Sequence, residues 1–319
     1  MESVRADSVG TEATDGFIVV RGRQLDDVDP LSLLAEGRSE ERPWIVWNGP
    51  DERVTALGSA CALTASGPDR FSEIRRQAGE RFAGRNVDPT LPAFATPRFF
   101  GGFAFHHGET VRHGEPDWRG FPDARFVLPA VRMIERNGQR WLTAAATGPE
   151  ATTRAEATLE RWTAKLGDRS AHAAGQPPGI TNRTQFPARA TWTEQVETAL
   201  GSVERGDLQK VVLAGAQQVE LAGPVSVPAA LQRLGSRYPD CYRFAFRPDT
   251  REAGTFFGAT PERLVALAGR DVETAALAGS IGRGDTRAED EWLAEHLASS
   301  EKDSHEHALV VDAIREQLA

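Results

Sequence analysis

The chain has 319 residues, room for one large domain or two ordinary ones, with 40% hydrophobic and 26% charged residues, the profile of a soluble globular protein. A net charge of −9 argues against general binding to nucleic acid or membrane surfaces, and no apolar run reaches membrane-spanning length. Two cysteines, Cys61 and Cys241, are too few for a disulfide framework and form no CxxC pair, so buried thiols are expected.

In chain order, Met1 to Gly16 is polar and acidic and lacks a basic start followed by an apolar stretch, so no signal peptide is read and a cytoplasmic protein is expected. Gly16 to Arg21 and Pro43 to Asn48 read as strands, the second closed by Gly49-Pro50. Phe71, Ile74, Ala78 and Phe82 recur at helical spacing and predict a helix over 71–82. Arg98 to Phe105 reads as a strand whose Gly101-Gly102 pair implies close backbone packing or a bulge. Phe126 to Ile134 and Arg140 to Ala146 form a hairpin joined through Asn137-Gly138.

Glu150 to Leu166 is a helix. Gly167 to Ala188, rich in Gly, Pro, Ser and Ala, reads as a linker. A helix over 191–203, capped by Thr191 or Thr193, ends at Gly206. Strands are expected at 210–214, 241–247, 255–259, 264–268 and 272–277, with a helix over 228–238. From Asp290 the chain is helical almost to Ala319. The fold class is α/β (α+β), with mostly antiparallel strands and interspersed helices. The domain reading is 1–170 as an N-terminal region, 171–189 as linker and 190–319 as the region carrying the chemistry.

Four segments of the second half hold candidate chemistry. Only Lys165, Lys210 and Lys302 among 37 basic residues are lysines, and lysine, unlike arginine, can lose its proton when desolvated. Lys210 opens Lys-Val-Val-Leu; its plain alternative is a strand-end lysine with a solvated head. Glu262, in Thr-Pro-Glu-Arg-Leu, follows a proline turn and is in isolation merely solvated. Gly279 and Ser280 begin Gly-Ser-Ile-Gly-Arg-Gly, which could offer backbone N–H groups to an anion or be an ordinary loop. Glu306 shares a helix face with Leu309, Val310 and Ala313, so its carboxylate needs a partner, a metal or Lys302 four residues earlier. His305 and His307 point elsewhere on the helix and form no HExxH pair.

The order of these segments, with Phe99-Phe-Gly-Gly-Phe-Ala-Phe105, Trp118-Arg-Gly-Phe-Pro122 and Tyr238-Pro-Asp-Cys-Tyr-Arg-Phe244, resembles the chorismate-utilising enzymes over residues 97–319. That family includes isochorismate, salicylate, anthranilate and aminodeoxychorismate synthases. The resemblance implies a β-sandwich-like core of mostly antiparallel sheets with helices outside. It also implies Lys210 as base, Glu262 as acid, Gly279 and Ser280 as substrate contacts, Glu306 as a Mg2+ ligand, and chorismate as substrate.

Relatives that use ammonia to make anthranilate carry glutamine at the Lys210 position, and aminodeoxychorismate synthases carry lysine at the Ala278 position. The implied branch is therefore isochorismate synthase, serving menaquinone or siderophore synthesis. Salicylate synthase is the alternative, and a non-catalytic chorismate-binding paralogue is one of another class. Two departures stand out. Ala214-Gly215 replaces the usual Ala-Arg, and the helix over 308–319 stops without a capping residue, so a chain truncated at its C-terminus is expected. No nucleic-acid or membrane partner is expected, and the chain is read as a monomer.

Overall fold

The computed structural model describes residues 17–37, 43–107, 118, 120–167, 176–250 and 253–318. The expected readings on Met1 to Gly16, and most of the first half of the expected linker, lie outside these residues. In chain order the elements begin β1 (Val19–Leu25), α1 (Leu31–Gly37), β2 (Trp44–Asn48), β3 (Glu52–Leu57), β4 (Cys61–Ala65), α2 (Arg70–Ala83), β5 (Asn86–Val87) and β6 (Phe100–Phe103). Then come β7 (Ala124–Leu128), β8 (Val131–Arg136), β9 (Gln139–Ala146), α3 (Ala151–Gly167), β10 (Ile180–Phe186), α4 (Arg189–Glu204) and β11 (Ala216–Leu221). The chain continues through α5 (Val227–Arg237), β12 (Tyr242–Arg247), β13 (Phe256–Thr260), β14 (Ala266–Ala268), β15 (Asp271–Glu273), α6 (Arg287–Ser299) and α7 (Glu301–Leu318).

These elements sort into two units. Unit 1 holds the described residues of Met1–Gly175 together with Ser226–Thr260; unit 2 holds Gln176–Val225 and Pro261–Ala319. Ser226–Thr260, which the sequence reading placed with 190–319, joins unit 1 because β12 pairs with β2, Phe244 opposite Trp47. The stretch expected as linker contains β10, whose residues find ladder partners on β11.

Unit 1 is built on an eight-stranded sheet in the order β13-β12-β2-β3-β8-β9-β1-β5, antiparallel except for the β1–β5 pair. Alternating side chains of β2 serve its two faces. Trp44 and Val46 join a core with Leu33 and Leu34 of α1, Trp162 of α3 and Leu231 of α5. Ile45, on the other face, joins Phe100 of β6 and Val127 of β7. The second face is therefore covered by a three-stranded sheet, β4-β7-β6, and α2 packs on that sheet through Ile74 against Leu63 and Ala124. This is the expected sandwich-like core with helices outside.

Several local readings match. Asn137 and Gly138 both take positive φ, 51° and 74°, in the turn from β8 to β9, the geometry a two-residue hairpin needs. Gly101 allows close approach: a Cβ there would lie 1.9 Å from the Arg125 carbonyl oxygen. The run 126–134, read as one strand, is two; Pro129, which has no N–H to donate, falls between β7 and β8, which lie in different sheets. The helix expected from Asp290 onward breaks at Ser300, whose ψ of 112° is extended rather than helical.

Unit 2 consists of two antiparallel ribbons, β10–β11 and β14–β15, with α4, α6 and α7. None of its described residues is buried. No helix among the described residues is long and apolar enough to cross a membrane.

Candidate active site

All five residues singled out for chemistry lie in unit 2. Helix α4 starts at Ala188 with no side-chain cap, and the Thr193 hydroxyl, expected as a possible cap, instead donates to the Arg189 carbonyl 3.1 Å away. The helix closes as expected at Gly206, whose φ is 77°. The amides of Asp207 and Leu208 then donate to the Ser202 carbonyl at 3.0 and 3.3 Å, fixing where the next segment departs.

That segment is not the expected strand. Residues 210–215 have no ladder, and β11 begins at Ala216. A strand exists only where a neighbour takes its N–H and C=O groups, and Val-Val-Leu composition cannot supply one. Lys210 and Val212 consequently do not share an environment: Val212 is 80% exposed, whereas Lys210 is half-buried.

Lys210 Nζ lies 3.1 Å from Glu306 Oε1 on α7. The partner that sequence suggested for Glu306, Lys302, is replaced by this longer-range one. With side chains 26% and 40% exposed, the pair is partly screened and contributes no more than about 1 kcal/mol. Lys210 also lines a groove of about 900 Å3, walled by Leu208, Val211, Leu264, Val265 and Val272 and by Leu309, Val310 and Ile314 of α7. The groove is thus largely apolar, with one ammonium at its side.

Glu262 lies on the loop from Pro261 to Val265 and is exposed rather than buried. Its loop is tied down by the Thr274 hydroxyl, which donates to the Leu264 carbonyl at 2.8 Å, and by an ion pair between Arg263 and Glu273. Leu264 and Val265 of the same loop wall the groove, but Glu262 does not.

Gly279 has φ 81°, and a Cβ on it would sit 3.1 Å from Asp303 Oδ1 on α7. Two independent demands, backbone sign and space, therefore select glycine. Asp303 escaped the sequence reading, although it stands one turn before Glu306 on the same helix. Ser280 is exposed. Of the loop amides expected to face an anion, that of Gly284 is already taken, donating to Asp290 Oδ1 at 3.0 Å. Arg283 grips both oxygens of the same carboxylate at 2.6 Å. These bonds, Arg283 first and then the Gly284 amide, hold the Asp290 carboxyl below its ordinary 3.8.

Gly215 stands where the family pattern has arginine. A Cβ there would meet the Phe186 carbonyl oxygen at 3.3 Å and the Trp192 ring at 3.7 Å, so the backbone is close to β10 and α4 at this point.

A sequence profile described as "Chorismate binding enzyme" matches residues 5–319. The chain belongs to the chorismate-binding enzymes. Its sequence is 31% identical over 306 residues to the salicylate biosynthesis isochorismate synthase of Pseudomonas aeruginosa, covering 94% of this chain and 62% of that protein. It is 27% identical over 328 residues to isochorismate synthase MenF of Bacillus subtilis, covering 95% and 65%. Its fold matches the solved structure of MenF, the menaquinone-specific isochorismate synthase from Escherichia coli, with a TM-score of 0.72 at 24% identity, over 95% of this chain and 64% of that one. The chain thus spans less than two thirds of the length of these relatives.

Magnesium prefers oxygen ligands in near-octahedral geometry and is usually held by one or two carboxylates plus water and substrate oxygens. Of the residues singled out for chemistry, Glu306 offers one carboxylate, already engaged by Lys210. No group of three His, Cys, Asp or Glu side chains among the described residues could hold a metal ion. Because the Glu306 carboxylate is already paired with Lys210, these residues as arranged do not fit the cation.

Proposed function

We propose that this protein is an isochorismate synthase, adding water at C2 of chorismate while the C4 hydroxyl leaves. The observation that carries the reading is the likeness along 94% of the chain to a protein named as an isochorismate synthase. Two residues support that branch: Lys210, where the ammonia-using relatives carry glutamine, and Ala278, where the aminodeoxychorismate branch carries lysine.

In this scheme Lys210 is the base. It stands beside a groove whose walls are mostly apolar, and for this role it leaves the Glu306 ion pair and gives up its own proton, so that the neutral amine takes one from the attacking water as the C2–O bond forms. Glu262 gives its proton to the C4 oxygen as that bond breaks, so a second water leaves and no net charge is created. For that role the Glu262 loop must carry the carboxyl toward the substrate. Gly279 and Ser280 contact the substrate, their backbone path set by the Gly279–Asp303 approach. Magnesium is the cofactor of this proposal, toward which Glu306 would contribute its carboxylate once released from Lys210. A cytoplasmic monomer feeding menaquinone or siderophore synthesis completes the reading.

The test is chorismate consumption by the purified chain, with and without Mg2+, resolving isochorismate, salicylate and anthranilate by chromatography. Isochorismate formation lost in Lys210→Ala is the expected result. Salicylate as the accumulating product would move the assignment to the salicylate synthases. Absence of turnover in this chain and in one extended to the length of its relatives would overturn the enzyme reading.

A further inference from the structure

The Lys210–Glu306 pair stands where the functional reading wants a cation site, and that conflict is informative. Glu306 is the assigned site residue on α7, and its Oε1 already accepts at 3.1 Å from Lys210, which itself lines the groove. A magnesium ion on that carboxylate would sit about 2.1 Å from its oxygen. An ammonium remaining in contact with the same group would then be only a few ångströms from a divalent charge. The repulsion is about twice that of two single charges at the same distance, reduced but not abolished by the solvent that partly reaches the pair.

We propose that Lys210 and a divalent cation compete for the Glu306 carboxylate, so that in this chain the lysine ammonium occupies the cation's place. The inference rests on the functional reading only in taking Glu306 as the cation's carboxylate. Binding and displacement are reciprocal: whatever factor the lysine costs the cation, the cation costs the lysine. Divalent cations therefore bind this chain weakly, and removing the lysine charge strengthens their binding through Glu306.

The experiment uses the purified 319-residue chain and two readouts independent of turnover. In the first, Mn2+ affinity is followed by the electron paramagnetic resonance of free Mn2+. Lys210→Met should bind about tenfold tighter than the parent. Lys210→Arg, which keeps the charge, should stay near the parent value, and Glu306→Gln placed on Lys210→Met should remove the gain. The second readout exploits the presence of three lysines only, Lys165, Lys210 and Lys302. In chain labelled at lysine Cε, Mg2+ should shift the Lys210 resonance saturably and leave Lys165 still, with the shift absent in Glu306→Gln. Because this second measurement uses the unmutated pair, it holds even if Lys210→Met folds poorly. A Lys210 resonance indifferent to saturating Mg2+, or a gain in Mn2+ affinity that survives loss of the Glu306 charge, would overturn the proposal. Cation exchange with no chorismate turnover in this chain or in one extended to its relatives' length would sink the functional reading and leave this one standing; turnover with a static Lys210 resonance would do the reverse.

Discussion

The two units are made of similar residue types and differ in what those residues touch. In unit 1, Leu33, Val46, Met133, Leu142 and Trp162 are fully buried between a sheet and its covers. In unit 2, Leu264 is 86% exposed, Val212 80% and Leu267 69%, and no described residue is buried. Unit 1 stacks an eight-stranded sheet between α1, α3 and α5 on one face and β4-β7-β6 on the other. Unit 2 has two-stranded ribbons, which alone hold little apolar surface. Hydrogen-bonded ladders and helices define elements in both; burial separates them. Every candidate catalytic side chain lies in the unit with less of it, as expected if functional segments come from the less stable part of a structure.

The comparison is broken most easily at its extremes. Trp162→Ala should cost about 3–5 kcal/mol in urea unfolding, whereas Leu264→Ala should change stability by no more than about 0.5 kcal/mol. Equal losses would show that unit 2 has a core of its own. Gly101→Ala forces a methyl onto the Arg125 carbonyl and should cost about 1–3 kcal/mol by the same measurement. A neutral outcome there would mean that the β6–β7 approach is looser than described.

Smaller effects sharpen the picture of unit 2. Thr286 caps α6 by accepting from the Glu289 amide at 3.3 Å, and Thr286→Ala should weaken that helix start by about 1 kcal/mol. Faster amide exchange at 289–290, with β8 and β9 unchanged, is the expected signature. Smallest is the titration of Asp290. Its folded-state value is depressed, so its contribution is intact at neutral pH and is lost only as pH falls below 3.8 through the lower folded value. Carboxyl-carbon NMR should place its midpoint below 3.8, and Arg283→Gln should raise it; an unchanged midpoint in that variant would remove Arg283 as the cause.

Much of unit 1 could be read directly because its patterns are local. Phe71, Ile74, Ala78 and Phe82 announce α2, and Asn137-Gly138 announces a hairpin. Strand β3 went unread: it opens with Glu52 and Arg53, and its buried Thr55 interrupts the apolar pattern although the sheet covers both faces. The start of α6 could have been placed better, since Thr286-Arg-Ala-Glu289 is the spacing of a capping box. At the site, helical periodicity set Glu306 in line with Leu309 and Val310, which wall the groove, while Glu306 pairs with Lys210. Its partner was illegible, because Lys210 arrives from a segment whose position depends on α4, not on its own sequence. The same dependence defeated the strand expected over 210–214.

The order in which the chain visits its units bears on how it can be made. Polypeptide crosses between them at 175–176, 225–226 and 260–261. The large sheet needs β12 and β13, so it cannot be completed until residue 260 has left the ribosome, by which time Gln176–Val225 has already emerged. At ordinary synthesis rates of about 5–20 residues per second, that first stretch of unit 2 waits for several seconds beside an unfinished neighbour. Vectorial synthesis therefore brings out Ile180, Phe186 and Leu200, which stay exposed in the folded chain, before the large sheet is complete. Chaperone demand during translation should accordingly rise as this inserted stretch emerges and last until residue 260 has followed it.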